Sequence, residues 1–334
     1  MVTAPQNRLG WGIVGCGWVA RDYVAPGIAA SANGRLVAAF DPDPSALGRL
    51  IAGGETRACK TLDGLLADPD VDAIYVATPN HLHASIVRAC AAAGKHALCE
   101  KPMATNLADA RAMVLDCERA GVRYATAFDQ RFQGAHRRLA ALVADGSLGI
   151  VSQARIHYAC WLPGDWVPDN WRVDPARAGG GALIDLAPHG VDLLEVVLGD
   201  EWAELVGLRQ HRVHAYAVDD GAALVGRFRS GALGLIQVGY NCPDVYPRRT
   251  LELIGTKARA LAVDTMGQTP GGRLTLLDAA DGRETVVAID PEADRSPFEI
   301  QAKAFADAIL SGRPYPFAPA RDLRTFALLE AACR

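Results

Sequence analysis

Lys101, Asp185 and His189 are side chains suited to moving a proton to or from a hydroxyl group. Oxidation of an alcohol requires such a group, because a proton leaves the oxygen while a hydride leaves the carbon. An imidazole gains and loses protons near neutral pH, and an amine can release a proton whereas a guanidinium stays protonated. The sequence therefore predicts proton transfer at an alcohol carbon, with His189 as the base and Lys101 hydrogen-bonded to the same oxygen.

Asp185 and His189 belong to a segment, residues 182–199, whose apolar spacing predicts a helix. Residues four apart share one helix face. Pro188 is tolerated in a first helical turn but is costly further in, so it predicts that both side chains stand at the N-terminal end, facing a cleft. Glycines 179–181 would let the backbone approach a ligand. The alternative is an ordinary helix whose polar face holds these two residues.

Apolar runs and helical spacing alternate through the first 128 residues. Runs such as 9–14, 35–40 and 71–79 are mostly apolar without a strict alternation of apolar and polar residues, which is typical of strands buried on both faces of a parallel sheet. We therefore predict an α/β fold whose N-terminal domain, residues 1–128, is a doubly wound parallel sheet. Lys101 follows one of its strands, at the carboxyl edge where such sheets bind ligands.

Longer strands follow, at 151–160, 221–230 and 231–240, and the last two are separated by Ser230-Gly231, a hairpin signal. We predict that residues 129–297 form an α+β domain on a large, mostly antiparallel open sheet. Two helical patterns within 298–334 are expected to pack back on the domains.

The segment GCGWVA at 15–20 fits the G-x-G-x-x-G/A pattern and lies between a predicted strand and helix, where a pyrophosphate can bind. Asp41 ends the second strand, where a carboxylate would accept hydrogen bonds from ribose hydroxyls and repel a 2′-phosphate. NAD is therefore favoured over NADP. Each feature by itself has an alternative explanation without a cofactor. The glycines could serve only to form a tight turn between strand and helix, and Asp41 could be an ordinary turn residue before Pro42. The residues expected to contact the dinucleotide here are Gly15, Cys16, Gly17, Trp18, Val19 and Asp41.

The loops after two further strands lie at the same predicted edge. Glu100 either balances the charge of Lys101 or orients a nicotinamide carboxamide, and a surface ion pair is the alternative. Asn80 could instead be only a helix N-cap. His81 and His83 have no carboxylate or cysteine at ligand spacing, so no metal is predicted. The candidate cofactor contacts are Ala77, Thr78, Pro79, Asn80, His83, Glu100 and Lys101.

Together with the glycine pattern, three segments resemble the Gfo/Idh/MocA family of glucose-fructose oxidoreductases and inositol dehydrogenases: ATPNHLH at 77–83, EKP at 100–102 and AGGGALIDLAPH at 178–189. The resemblance implies a Rossmann domain, hydride transfer between a nicotinamide and a sugar or polyol carbon, and an open sheet that makes a homodimer or homotetramer interface. It also implies that Lys101, Asp185 and His189 are the catalytic residues.

The sequence departs from this family on the substrate side. Ala187 and Pro188 replace the usual glycine and its neighbour, and Asp129-Gln130 precedes Arg131 where an Asn is common. A loop rich in tryptophan, including Trp166, suggests a lid over the substrate or an arm toward a neighbouring subunit, since aromatic faces stack on sugar rings. The alternative is simple loop packing. The predicted substrate contacts are Lys101, Arg131, Tyr158, Trp161, Trp171, Arg172, Asp185, His189 and Tyr240.

Composition excludes other classes. The 334 residues carry a formal net charge of −4, so no basic surface supports a nucleic-acid partner. The first residues lack a secretion signal and no apolar run approaches about 18 residues, so we expect no membrane insertion and a cytoplasmic location. The eight cysteines have no C-x-x-C pair and are predicted to be mostly buried.

The leading hypothesis is an NAD-dependent dehydrogenase of a sugar, sugar derivative or cyclic polyol. The first alternative is a glycosidase-like or epimerising enzyme that keeps NAD bound and reduces it only transiently. The second is a non-catalytic regulator that senses a dinucleotide, although such a protein would not need Lys101, Asp185 and His189 together.

Overall fold

The computed structural model describes residues 8–52, 54–164, 170–291 and 294–332. The chain divides into two compact units. The first comprises Met1–Ala127 with Phe298–Leu323, and the second comprises Phe128–Pro297 with Arg324–Arg334. Within the described ranges, no helix has both the length and the apolar run needed to cross a membrane.

The first unit is built on a parallel sheet, as predicted. In the described residues its strands lie in the order β3-β2-β1-β4-β5-β6, so the chain runs outward from β1 in both directions. A crevice forms at the carboxyl ends of the strands where such an order reverses. Strands β1 and β4 are buried along their whole length, which explains their continuous apolar sequence. The strands are β1 (Leu9–Val14), β2 (Gly34–Phe40), β3 (Arg57–Ala58), β4 (Ala73–Val76), β5 (His96–Glu100) and β6 (Tyr124–Ala127).

Helices cover this sheet on both faces. Local signals start and stop them: the Asn106 side chain accepts a hydrogen bond from the Asp109 N–H at one helix start, and Gly121 ends the same helix with a positive φ of 67°. The Phe305 ring of a C-terminal helix packs on Trp11 of β1 at 5.7 Å between centroids. The helices are α1 (Ala25–Ala30), α2 (Pro44–Ile51), α3 (Leu62–Leu66), α4 (His83–Ala92), α5 (Leu107–Ala120) and the C-terminal Pro297–Ser311. The last helix, Pro319–Ala332, has its first residues in this unit and its remaining residues in the second.

The second unit contains a large mixed sheet. Among the described residues its strand order is β14-β13-β12-β11-β7-β10-β9-β8, and neighbours are antiparallel except for β7 and β10, which run parallel. The predicted hairpin at Ser230-Gly231 forms, with Leu233 opposite Arg227. The strands are β7 (Val151–Ala159), β8 (Trp202–Gln210), β9 (Gly221–Phe228), β10 (Leu233–Gly239), β11 (Arg249–Gly255), β12 (Ala258–Val263), β13 (Arg273–Asp278) and β14 (Glu284–Val286).

One face of this sheet is covered by helices and the other is open. Residues of β9 and β10 alternate between buried and exposed, which matches a sheet packed on one side only. The buried side packs against α8 and forms the core of the unit. The helices are α6 (Gly134–Ala144), α7 (Pro175–Ala178) and α8 (Ala182–Leu198), and the C-terminal helices are accordingly α9 and α10. The predicted fold class is therefore confirmed.

Helix α8 corrects the prediction for Pro188. The helix begins at Ala182, so Pro188 lies inside it rather than in its first turn. The start is set by a distant residue: the Asp219 carboxylate accepts hydrogen bonds from the N–H groups of Gly181 and Leu183 at 3.0 and 2.8 Å. A helix start that is capped from another element leaves no local sequence signal. Asp185 remains in the first turn, whereas His189 lies one turn later.

Candidate active site

The glycine loop after β1 leaves space for a ligand to approach the protein backbone. Gly15 has a φ of +89°, and a Cβ there would lie 2.6 Å from the Ala77 carbonyl oxygen, so the fold itself requires this glycine. A Cβ on Gly17 would instead meet no atom within 4 Å. Trp18 and Val19 begin the following helix, which continues through a π-helical stretch, Ala20–Val24. The opening beside Gly17 fits a pyrophosphate at a helix N-terminus.

Asp41 anchors the same loop. Its Oδ2 accepts a hydrogen bond from the Cys16 N–H at 2.6 Å, and its Oδ1 accepts one from the Asp43 N–H at 2.8 Å. Each carboxylate oxygen can accept a further bond, so the position remains suited to ribose hydroxyls. Burial, followed by the charge of Asp41, raises the pKa of the Cys16 thiol to about 12, which keeps this thiol protonated and inert at neutral pH.

His83 joins two loops at this edge. Its ring is fully buried, with Nδ1 2.8 Å from the Pro102 carbonyl oxygen and Nε2 2.9 Å from that of Thr78. Burial lowers the pKa of His83, so the ring is neutral at pH 7. Both nitrogens face backbone oxygens, so the ring joins the Thr78 and Pro102 loops, and its contact with a cofactor stays a prediction. Asn80 lies inside the short helical turn Asn80–Leu82 and is not the N-cap of α4.

Glu100 is the last residue of β5, at the carboxyl edge of the sheet. Its Oε1 accepts a hydrogen bond from the Tyr75 hydroxyl of the neighbouring strand β4 at 2.7 Å. Lys101, half-buried, follows directly, and the Lys101–Pro102 peptide bond is cis. Ala77, Thr78 and Pro79 follow β4 at the same carboxyl edge. The first unit thus brings the predicted cofactor contacts to one edge of its sheet.

In the second unit, His189 is enclosed by aromatic rings and one carboxylate. The imidazole meets Tyr158 and Phe128 edge-on, at 5.5 and 6.1 Å between ring centroids. Its Nδ1 lies 3.7 Å from Oδ1 of Asp129. Only 5% of His189 is exposed, so the Asp129 carboxylate acts on the imidazole through surroundings of low polarity.

Asp185 is held by a tyrosine. The Tyr240 hydroxyl, at the end of β10, donates a hydrogen bond to Asp185 Oδ2 at 2.8 Å. Burial, together with the charge of Asp185, raises the pKa of Tyr240, so this hydroxyl stays protonated and remains a donor. The structure therefore brings together Asp185, His189, Tyr158 and Tyr240 as the sequence predicted, with both tyrosines acting on the side chains of α8.

Arg131 has a different place from the one predicted. Its guanidinium is fully buried and donates two hydrogen bonds to Asp192, at 2.9 and 2.7 Å, while it lies 4.6 Å from the centre of the Phe128 ring. A buried, bidentate pair of this kind fixes the turn Asp129–Phe132 against α8. Arg131 therefore supports the site from within the core, and its contact with a substrate stays a prediction.

The tryptophan loop is described only in part, because Trp166 lies outside the described residues. Trp161 is 41% exposed and meets the ring of His214 edge-on at 4.8 Å. The Arg172 guanidinium stacks over the Trp171 ring at 4.5 Å. The exposed ring of Trp161 remains suited to a sugar ring.

Comparison with known proteins identifies the family. Residues 9–128 match the model of an oxidoreductase family with an NAD-binding Rossmann fold, GFO_IDH_MocA, and residues 136–261 match the GFO/IDH/MocA C-terminal domain. The chain belongs to the Gfo/Idh/MocA family. This Gfo/Idh/MocA protein is therefore an oxidoreductase-family member with an NAD-binding fold, as its sequence segments predicted.

Several relatives of this Gfo/Idh/MocA protein have assigned names. A 1,5-anhydro-D-fructose reductase of Ensifer adhaerens is 33% identical over 95% of this chain and 92% of its own length. A myo-inositol 2-dehydrogenase of Thermotoga maritima is 30% identical over 84% of this chain and 82% of its own length. A crystal structure of an aldose-aldose oxidoreductase from Caulobacter crescentus, complexed with glycerol, superposes with a TM-score of 0.86 at 27% identity, covering 98% of each chain.

Sequence reasoning missed three aspartates in this Gfo/Idh/MocA protein. Asp192 lies three residues after His189, so helical spacing could have placed it on the same face of α8. Asp129 was visible only as a departure from the family pattern. The sequence around Asp219 contains no pattern that indicates its role. Asp219 does explain why residue 181 is a glycine, because a Cβ there would lie 2.0 Å from the Asp219 carbonyl oxygen. The glycine run is therefore needed for packing, whether or not a ligand approaches it.

We expect Gly17→Ala to separate binding from folding in this Gfo/Idh/MocA protein. Because the protein leaves the Cβ position empty, the melting temperature without cofactor should stay unchanged, while NAD affinity should fall about tenfold or more (about 1.4 kcal/mol per factor of ten). Calorimetric titration with NAD and thermal melts measure the two effects. Gly15→Ala is the matched control and should destabilise the fold itself. An unchanged NAD affinity in Gly17→Ala would contradict the prediction that the cofactor binds beside this loop.

Proposed function

We propose that this protein transfers a hydride between NAD and a hydroxyl-bearing carbon of a sugar, sugar derivative or cyclic polyol. The observation that carries the proposal is the arrangement on α8, where Asp185 is held by Tyr240 and His189 lies one turn later beside Asp129. The relatives named for an anhydro sugar and for myo-inositol support this substrate class.

The residues at the carboxyl edge of the first sheet fit a dinucleotide. The opening beside Gly17 would take the pyrophosphate, and Asp41 would take the ribose hydroxyls. Ala77 to Asn80, Glu100 and Lys101 would border the remainder of the cofactor. A bound nicotinamide supplies the centre that accepts or gives up the hydride.

Proton transfer then falls to side chains of this chain. In the oxidative direction, the His189 imidazole takes the proton of the substrate hydroxyl, and it returns that proton in the reductive direction. The Lys101 amine donates a hydrogen bond to the same oxygen and can relay its proton. Asp185, kept in place by Tyr240, accepts a hydrogen bond from the substrate.

We expect Lys101→Ala and His189→Ala each to lower turnover by about 10²- to 10⁴-fold, the usual contribution of general acid–base catalysis. NAD affinity should change little in either variant. A panel of inositols, aldoses and aminosugars, followed by absorbance of reduced nicotinamide, identifies the substrate and measures the rates. Lys60→Ala and His211→Ala, both exposed positions, are the matched controls.

Parent-like rates in either site variant would contradict the roles given to that residue. A panel in which bound NAD is reduced only transiently, with no net NADH, would instead favour the epimerising alternative.

Asp41 should decide the choice of cofactor. A carboxylate repels the 2′-phosphate of NADP, so Asp41→Ala should bring the affinities for NAD and NADP closer together, by about tenfold or more (1.4 kcal/mol per factor of ten). Titration of both cofactors into parent and variant measures the ratio. Because Asp41 also binds the Cys16 N–H, a melt of each protein checks that the loop survives. An unchanged ratio would remove Asp41 from cofactor selection.

We further propose that the open face of the large sheet pairs with a second copy of the chain, in a homodimer or homotetramer. Exposed apolar side chains on adjacent strands support this: Val206 and Leu208 on β8, Val225 on β9, and Leu233 and Leu235 on β10, at 41% to 76% exposure. A row of apolar residues on neighbouring strands is unusual for a surface in contact with water.

Leu208→Asp combined with Val225→Asp should therefore lower the mass measured by light scattering to that of a monomer. Introduced charges on an apolar interface would remain desolvated and unpaired, which disfavours association. Leu115→Asp, an exposed leucine of the first unit, is the control and should leave the mass unchanged. A monomeric parent protein, or an oligomer that survives the double substitution, would contradict the proposal.

A further inference from the structure

Asp129 is placed to act on His189. It lies in the turn Asp129–Phe132 after β6, is only 6% exposed, and has its Oδ1 3.7 Å from Nδ1 of the imidazole. This separation is longer than a hydrogen bond but within the range of a direct charge interaction. In surroundings that exclude water, such an interaction is screened far less than at a surface.

The Asp129 carboxylate is held in this position. Its Oδ2 accepts a hydrogen bond from the Gln130 amide at 2.8 Å, and the same amide nitrogen donates to the Gly267 carbonyl oxygen at 3.1 Å. Arg131, two residues later, is bound by Asp192 through two hydrogen bonds, so Asp192 already matches the charge of that guanidinium. The turn therefore presents one fixed negative charge to the ring.

A carboxylate can only accept hydrogen bonds, so it favours an N–H over a lone pair on the nitrogen that faces it. For a neutral imidazole this selects the tautomer with the proton on Nδ1, and Nε2 then carries the lone pair. We infer that Asp129 is a positioning residue that keeps the His189 proton on Nδ1 and makes Nε2 the nitrogen that exchanges protons. The tautomer is a property of the protein alone, whereas the exchange with substrate rests on the proposed function.

The same charge acts after proton transfer. When Nε2 takes a proton from a hydroxyl, the ring becomes an imidazolium, and its positive charge then lies beside the Asp129 carboxylate. Among the described residues, Tyr158 faces the ring and Asp185 adjoins it, and both are titratable. Burial, followed by the charge of Asp129, raises the pKa of Tyr158, so its hydroxyl stays neutral. Asp185, one turn earlier on α8, is bound by Tyr240.

The tautomer can be tested on the unaltered protein. Nitrogen-15 NMR of histidine-labelled protein without cofactor distinguishes Nδ1–H from Nε2–H rings, and the His189 signal is the one lost in His189→Asn. Above the titration midpoint we expect the Nδ1–H form. An Nε2–H ring would overturn the inference without any question of whether a variant folds.

Variants test the charge. In Asp129→Asn the His189 titration midpoint should fall by about one pH unit or more, because an opposite charge within about 4 to 6 Å stabilises the protonated ring. Asp129→Glu keeps the charge and should restore most of the midpoint. Asp145→Asn, an exposed aspartate in the same unit, is the matched control and should leave the midpoint unchanged. A midpoint in Asp129→Asn equal to that of the parent would overturn the inference.

Kinetics then separate this inference from the proposed function. Oxidation needs a neutral His189, so activity rises with pH through the midpoint, and Asp129→Asn should move this acidic limb of kcat/KM downward by the same pH interval. A merely structural role would lower the rate without moving the limb, and that result would overturn the inference. If no sugar or polyol reacts, the proposed function fails, and the NMR titration still decides the role of Asp129.

Discussion

The hydrogen bonds from the Gly181 and Leu183 N–H groups to Asp219 determine where α8 begins, and the candidate site depends on that start. Asp185, His189 and Asp192 lie along one side of the helix, so a start shifted by one residue would rotate all three by about 100°. The first N–H groups of a helix have no acceptor within the helix. Here one carboxylate, that of Asp219, accepts hydrogen bonds from two such groups. Gly181 permits this approach because a side chain would collide with the Asp219 backbone.

Each carboxylate near α8 in the described part of the site has a defined neighbour. Asp192 binds Arg131, Asp185 accepts from Tyr240, and Asp129 faces His189. Burial of an ionised group is costly unless hydrogen bonds or an opposite charge compensate for it. Here the compensation comes from a different element in each case, so the strands, the Asp129–Phe132 turn and the helix fix one another's positions.

The sequence was sufficient for the fold class, because strands, helices and turns have local patterns, whereas the roles of the candidate residues stay predictions. Continuous apolar runs revealed the parallel strands, and the glycine spacing with Asp41 pointed to the dinucleotide edge. Pro188 was misplaced because the helix is capped by Asp219, a residue 38 positions away from Gly181 whose role has no local pattern. The burial of Arg131 could not be predicted, because a motif gives residue type and not burial, and only tertiary packing shows that Asp192 binds its guanidinium.

The parallel pairing of β7 and β10 within an otherwise antiparallel neighbourhood has a consequence for the two tyrosines. Val238 lies opposite Tyr158, so Tyr240 follows two residues beyond on the same side of the sheet. Strands that run in the same direction deliver their last residues to a common end, and the chain between these two contains α8 itself. Side chains alternate along a strand, so a slip of one residue between the two would turn one phenol ring away to the opposite face. The backbone hydrogen bonds between β7 and β10 therefore set the distance between Tyr240, which binds Asp185, and Tyr158, which contacts His189.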